Sequence, residues 1–194
     1  MKLSAKYKES LEKKWAMRFK TVHPDGDCYE GMVIDIKRSF VVIKAVTDFE
    51  FDGTIIFPKK SICGYRDGDF ESCYNRILHN NRQIDKLLIP QWLQECESIR
   101  EVVSKLMQND IWPCVEVLLN KESTSRAAFF LGPVVETEKD GFLMDCYDAA
   151  GRWGKAYAII KYNDLLRIEF DDRYSNHFNQ YMRTHNKDSG TDAA

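Results

Sequence analysis

SICGYRDGDFESCYNRIL (61–78) and LLRIEFDDRYSNHFNQYM (165–182) decide the fold, because side by side they keep one pattern of apolar and turn residues. Without gaps, Ile62 falls on Leu166, Asp67 on Asp171, Phe70 on Tyr174 and Tyr74 on Phe178. Asn75 then meets Asn179, and Leu78 meets Met182. Identities are few. The shared positions are those that set a strand, an Asx turn and the apolar face of a helix.

The match continues upstream. EGMVIDIKRSFVVIKAV (30–46) answers LGPVVETEKDGFLMDCY (131–147), which puts Gly31 opposite Gly132 and Val33 opposite Val134. GTIIF from Gly53 answers GKAYAII from Gly154, and Trp15 with its alternation WAMRFKTV answers Trp112 with WPCVEVLL. The offset drifts only where loops are expected. An internal repeat of this kind governs the reading of the whole chain. It predicts two copies of one helix-plus-β unit, at 1–85 and 86–183, with a polar, disordered tail at 184–194.

Each copy reads alike. In the first, Ser4 is the expected N-cap of a helix carrying Tyr7 and Leu11 and reaching Trp15. Alternation and β-branched content place strands at about 15–22, 28–37, 39–47, 53–58 and 61–66. HPDGD and DFEFDG supply turns, and Asp67 or Asp69 is expected to cap a helix with Phe70, Cys73, Tyr74, Ile77 and Leu78 on one face. The second copy opens with Pro90 at a first helical turn. An apolar stripe follows (Leu93, Cys96, Ile99, Val102, Val103, Leu106), predicting one helix to about Asn109. Five strands and a capped helix at 172–182 complete it.

A helix followed by five short, bent antiparallel strands resembles the Sm-like fold, within the SH3-type small barrels. The resemblance covers about 15–66 and 112–170, and EGMVIDIKRSFVVIKAV is similar to the family's glycine-led second strand passing through a tight loop into the third. It implies a mainly β fold with flanking helices: two tandem five-stranded barrels, each preceded and followed by a helix. Gly31 and Gly132 would stand where a strand bends to close a barrel. Two fused barrels could also pair an edge of one with an edge of the other inside the chain.

The resemblance implies less about activity. RNA-binding Sm proteins carry an Asp and an Asn around the loop between strands two and three. The corresponding loops here are Lys37-Arg38-Ser39 and Glu138-Lys139-Asp140-Gly141. The family's Arg-Gly pair is reduced to Cys63-Gly64 and Arg167-Ile168.

The net charge of −2 agrees with that departure, since nucleic-acid binders usually carry a basic excess. The basic run Lys2, Lys6, Lys8, Lys13, Lys14, Arg18 and Lys20 is interrupted by Glu9 and Glu12 and reads as a solvated helix face. Six cysteines (Cys28, Cys63, Cys73, Cys96, Cys114, Cys146) lack the local pairing of a zinc or redox motif and read as reduced core residues of a cytoplasmic protein. The N-terminus MKLSAKYKES has no apolar leader run, no stretch is long enough for a membrane span, and no cofactor or metal is expected.

His23, His79, His177 and His185 lie far apart, and no nucleophile elbow, phosphate-binding loop or calcium ladder occurs, so the chain is expected not to be an enzyme. The paired Asp67/Asp171 and Asn75/Asn179 read first as caps and helix-to-sheet hydrogen bonds, and second as a duplicated binding site. Surface candidates for binding are the loop tips Lys37, Arg38, Ser39, Lys139, Asp140, Arg152 and Trp153, with Trp153 also suited to packing. The function expected is that of a binding or scaffold protein engaging a protein partner or itself; RNA binding is the alternative.

Overall fold

The computed structural model describes residues 3–23, 28–121 and 124–185. The turn expected at HPDGD, beyond His23, and the tail after His185 lie outside the described residues. In the first half, α1 (Leu3–Lys13) precedes β1 (Ala16–Thr21), β2 (Cys28–Ile36), β3 (Phe40–Thr47), β4 (Glu50–Pro58) and β5 (Ile62–Arg66), and α2 (Asp69–Asn80) follows. A single 3-10 turn at Lys59–Ser61 links β4 to β5.

The second half starts with α3 (Gln91–Gln94) and α4 (Ile99–Gln108). It continues with β6 (Cys114–Lys121), β7 (Thr124–Leu131), β8 (Val134–Thr137), β9 (Gly141–Met144), β10 (Ala158–Lys161), β11 (Leu165–Phe170) and α5 (Arg173–Thr184). Another 3-10 turn, Tyr162–Asp164, links β10 to β11. α5 therefore carries Thr184, which the sequence placed in the tail.

Among the described residues the chain is mainly β with five α-helices, but it does not form two closed five-stranded barrels. Eight antiparallel strands make one open sheet in the order β5-β1-β2-β3-β4-β11-β6-β7, and a three-stranded sheet runs β10-β9-β8. Two physical causes overturn the barrel expectation. First, β4 gives its outer edge to β11 of the other half, with Ile56 opposite Ile168 and Thr54 opposite Phe170. Its backbone groups are thereby satisfied without the first half closing on itself.

Second, the ladder of the second half breaks at Gly132-Pro133, between β7 and β8. Pro133 has no N–H for a ladder bond. Gly132 sits at φ +142°, where a Cβ would lie 2.0 Å from the Asp145 carbonyl oxygen. Six strands result where five were expected, and isolated bridges from Leu131 to Tyr147 to Trp153 span the gap. Gly31, its match, lies within an unbroken β2, where a Cβ would meet the Lys44 carbonyl oxygen at 2.6 Å.

The expected helix from Pro90 to Asn109 is two helices. The Ser98 hydroxyl accepts from the Glu101 N–H at 3.2 Å, and the Glu101 carboxylate accepts from the N–H groups of Glu97 and Ser98. This capping box starts α4 afresh after the turn at 95–98. The apolar stripe stays on one side regardless: Leu93, Cys96, Val102, Val103 and Leu106 are all buried, and Ile99 packs against them.

The largest core belongs to both halves. It joins Ile34, Val42 and Ile56 to the α3–α4 stripe and to Val115, Val134, Phe142, Leu165 and Ile168. A second core, including Tyr7, Phe19, Val41, Ile43 and Phe57, is internal to the first half. The cysteines divide: Cys96 and Cys114 are buried as expected, whereas Cys28, Cys63 and Cys73 are exposed and Cys146 is half-buried; all are free thiols. Among the described residues no helix is long and apolar enough to cross a membrane.

Candidate functional site

The closest likeness between the halves lies where the helix after the strands, α2 or α5, packs beside the entry to the first strand. Both helices are amphipathic. Tyr74, Asn75 and Leu78 of α2 are buried, as are Ser175, Asn179 and Met182 of α5. The asparagines bridge helix to backbone. Asn75 accepts from the Ala16 N–H at 2.7 Å and donates to the Ala16 carbonyl at 2.8 Å. Asn179 donates to the Trp112 carbonyl at 2.9 Å and accepts from the Tyr147 hydroxyl at 2.7 Å. Burial raises the Tyr147 hydroxyl's pKa, keeping it a donor.

The geometry extends along each helix. Lys14 and Asp110, the residues after α1 and α4, share a left-handed backbone with φ +52° and +53°. One position on, Trp15 N–H donates to the Ser10 carbonyl and Ile111 N–H to the Leu106 carbonyl. His79 Nε2 lies 3.3 Å from the Lys14 carbonyl oxygen, and Arg183 Nη2 donates to the Asp110 carbonyl at 2.6 Å. These bonds correct the sequence match by one residue: Trp112 is the counterpart of Ala16, and Ile111 that of Trp15.

The capping reading of the aspartates is also corrected. The N-cap positions are Gly68 and Asp172, and Asp172 accepts from the Ser175 N–H at 2.8 Å. Asp67 and Asp171, one residue earlier, instead face clefts beneath the helices. The first cleft is nearly filled, with about 40 Å³ of free space. Its filler is Lys6 of α1, only 8% exposed, whose ammonium pairs with Asp67 and donates to Glu9 at 2.8 Å. Asp67 first, and then Glu9, raise the pKa of that ammonium despite desolvation. Glu9, held also by Lys13, is lowered to about 2.

The second cleft is open, at about 410 Å³. Asp67, Ser72 and Asn75 of the first correspond to Asp171, Asn176 and Asn179 of the second, and Trp112 and Ile111 complete the match. Counting back from the matched turns, Val102 of α4 takes the place of Lys6, and it is wholly buried in the large core. No side chain of α4 enters the lining.

The remaining charges around this cleft are ordered. Arg183 pairs with the Asp110 carboxylate and lies 4.1 Å from the centroid of the Trp112 ring, and Trp112 Nε1 donates to Asp110 at 2.8 Å. Arg183 chiefly, and then Trp112, hold the Asp110 carboxyl below its usual range. Asp171 contrasts with it. Its backbone is left-handed, with φ +60°, and burial raises its carboxyl's pKa; Lys44 opposes the shift and Asp172 adds to it.

The seven residues chosen as surface candidates are held by different neighbours and not gathered into this cleft. Lys37 is anchored: its ammonium donates to the Gln94 carbonyl and to Glu97, each at 2.8 Å, and Asp35 lies 3.4 Å away. Glu97 first, and then Asp35, raise its pKa against desolvation. Arg38 and Ser39 are exposed at the β2–β3 turn, where the Ser39 carbonyl accepts from the Lys59 N–H. Lys139 and Asp140 are exposed at the β8–β9 turn, and the Asp140 carbonyl accepts from the Tyr162 N–H. Arg152 pairs with Asp148 on an exposed loop, while Trp153 is half-buried, edge-on to Trp112 and Tyr147.

Sequence reasoning missed the ionic cluster where the two halves meet. Glu116, 1% exposed, accepts from Arg167 Nε at 2.9 Å and from the Tyr29 hydroxyl at 3.2 Å, and His23 Nε2 lies 3.1 Å from its other oxygen. Arg167 also pairs with Glu169 and lies 4.6 Å from the centroid of the Tyr29 ring. These residues come from four places in the chain, and the one signal was a charge (Glu116) within the apolar run VEVLL. The chain matches no family model, no curated protein and no solved structure.

Proposed function

We propose that the chain is a non-enzymatic binding or scaffold protein that works through protein–protein contacts in the cytoplasm. The observation that carries this reading is the outer edge of β10. It ends the small sheet and displays Ile159, 72% exposed, beside Tyr157, 56% exposed. An unpaired edge with apolar side chains is a template for another strand. Free thiols on the surface suit a reducing compartment, and the buried Glu116, Arg167 and His23 are committed to one another.

The chain's own architecture favours a second copy as the partner. β10 leads through a 3-10 turn into β11, as β4 leads through one into β5. Inside the chain β4 pairs with β11. The counterpart pairing, β10 of one copy with β5 of the next, uses two edges that no other strand covers among the described residues. Such a head-to-tail contact extends or closes into a ring.

Light scattering on the eluting protein should give a mass above the monomer that rises with concentration, and Ile159→Lys should return the monomer without lowering Tm. A monomer at high concentration, together with no stoichiometric protein recovered from native lysate, would defeat the proposal. The RNA alternative has weaker support, because Lys37 is tied to Glu97 and Gln94. Lys37→Ala should loosen the 95–98 turn to proteolysis and lower stability by about 0.2–1 kcal/mol, the usual range for an ion pair with a solvent-exposed partner, while leaving binding to single-stranded RNA unchanged.

A further inference from the structure

We infer that the open cleft beneath α5 is a receptor for a lysine side chain presented by another polypeptide, with Asp171 as the counter-ion. The argument is internal to the chain. Two clefts share a framework of helix, bridging asparagine and left-handed turn, and carry an aspartate at the same position. In the first, a helix-borne lysine supplies the occupant: the aliphatic stem of Lys6 is buried and its ammonium rests on Asp67. In the second, the matching helix position is Val102, turned into the core, and the space stands open.

The walls suit the ligand. Asp171 makes no hydrogen bond and no ion pair with any described residue; Lys44 acts on its carboxylate through charge alone, which leaves the oxygens able to accept from an incoming ammonium. Asn176 and Gln180 add amide carbonyls, which accept from the other ammonium protons. Ile111 and Trp112 offer apolar surface to a butyl stem. Arg183, the other cation in the lining, is occupied by Asp110 and by the Trp112 ring, and competes little for Asp171. A volume of about 410 Å³ falls within the range of small-ligand sites.

The inference rests on reading the chain as a protein-binding one, and it names the chemistry the partner must offer. It is tested on the full chain by NMR titration, following the Trp112 indole N–H and the side-chain amides of Asn176 and Asn179. The probes are n-butylamine and a blocked peptide of the α1 sequence, residues 4–14. The peptide should shift these resonances saturably. Lys6→Met in the peptide, or Asp171→Asn in the protein, should weaken binding at least tenfold. Asp67→Asn in the protein should leave it unchanged.

Shifts indifferent to Asp171→Asn, or no shift with either probe, would overturn the inference. Shifts with n-butylamine but not with the peptide would assign the cleft to a free amine and overturn the polypeptide source. Concentration-dependent mass with an unresponsive cleft would leave the protein-binding role standing while removing this site. Its converse would retain the cleft and remove self-association through β10.

Discussion

Arg167→Ala should lower the free energy of unfolding by about 3–5 kcal/mol, the range for removing one partner of a buried ion pair. Arg167 lies between Glu116 and Glu169 and against the Tyr29 ring. Its loss strands the Glu116 carboxylate, 1% exposed, with the Tyr29 hydroxyl and the His23 ring in reach. Urea unfolding at neutral pH measures the change, with the slope checked for two-state behaviour.

The doubly substituted Arg167→Met, Glu116→Leu protein supplies the control. Exchanging a whole buried pair for apolar residues of similar volume is often neutral or stabilising. It should therefore recover part of the loss, since Glu169, Tyr29 and His23 still lose their contacts with Arg167 or Glu116. A single-substitution effect below about 1 kcal/mol would mean that the pair behaves as a solvated surface bridge.

The second large effect is expected at Leu106. It is wholly buried in the core that both halves share, and Leu→Ala at such a site costs about 2–5 kcal/mol through lost transfer energy and residual cavity. The informative feature is the shape of the transition. Because Ile34, Val42 and Ile56 of the first half line the same core as Leu106, the variant should melt in one transition at lower temperature. Scanning calorimetry that instead showed a first-half transition unmoved, with only a later one shifted, would show two independent cores.

These expectations bear on what could be read from the sequence. Local chemistry was legible: α1, all five strands of the first half and α2 fall within a few residues of where alternation and apolar faces put them, although the turn expected over DFEFDG is confined to Asp48-Phe49 and Asp52-Gly53 lie inside β4. The Asn75–Asn179 match was also legible, and it proved to mark helix-to-backbone bridges. The break before α4 was written in Ser98 and Glu101, but the apolar stripe runs through it, and the stripe reports only which side is buried.

What depended on distant partners was not legible. The edge of β4 goes to a strand more than a hundred positions later, so barrel closure could not be settled from the strands of one half. The Trp15–Trp112 pairing failed because residue identity was a poorer guide than backbone conformation. Lys14 and Asp110 share a left-handed turn that neither side chain announces. The two clefts were hidden for the same reason, since their difference lies in Lys6 against Val102, a change between helices matched only by that turn.

The core common to both halves also bears on the chain's history on the ribosome. When residues 1–85 have emerged, the partners of Ile34, Val42 and Ile56 are still being synthesised, and β11, which covers the edge of β4, comes later still. At the usual pace of elongation that interval lasts roughly 5–20 s, at 5–20 residues per second for about a hundred residues. During it, an apolar patch and an open strand edge face solvent together. The nascent first half is thus the stage most exposed to mispairing between neighbouring chains on one messenger, and the stage at which a chaperone would have the most to hold.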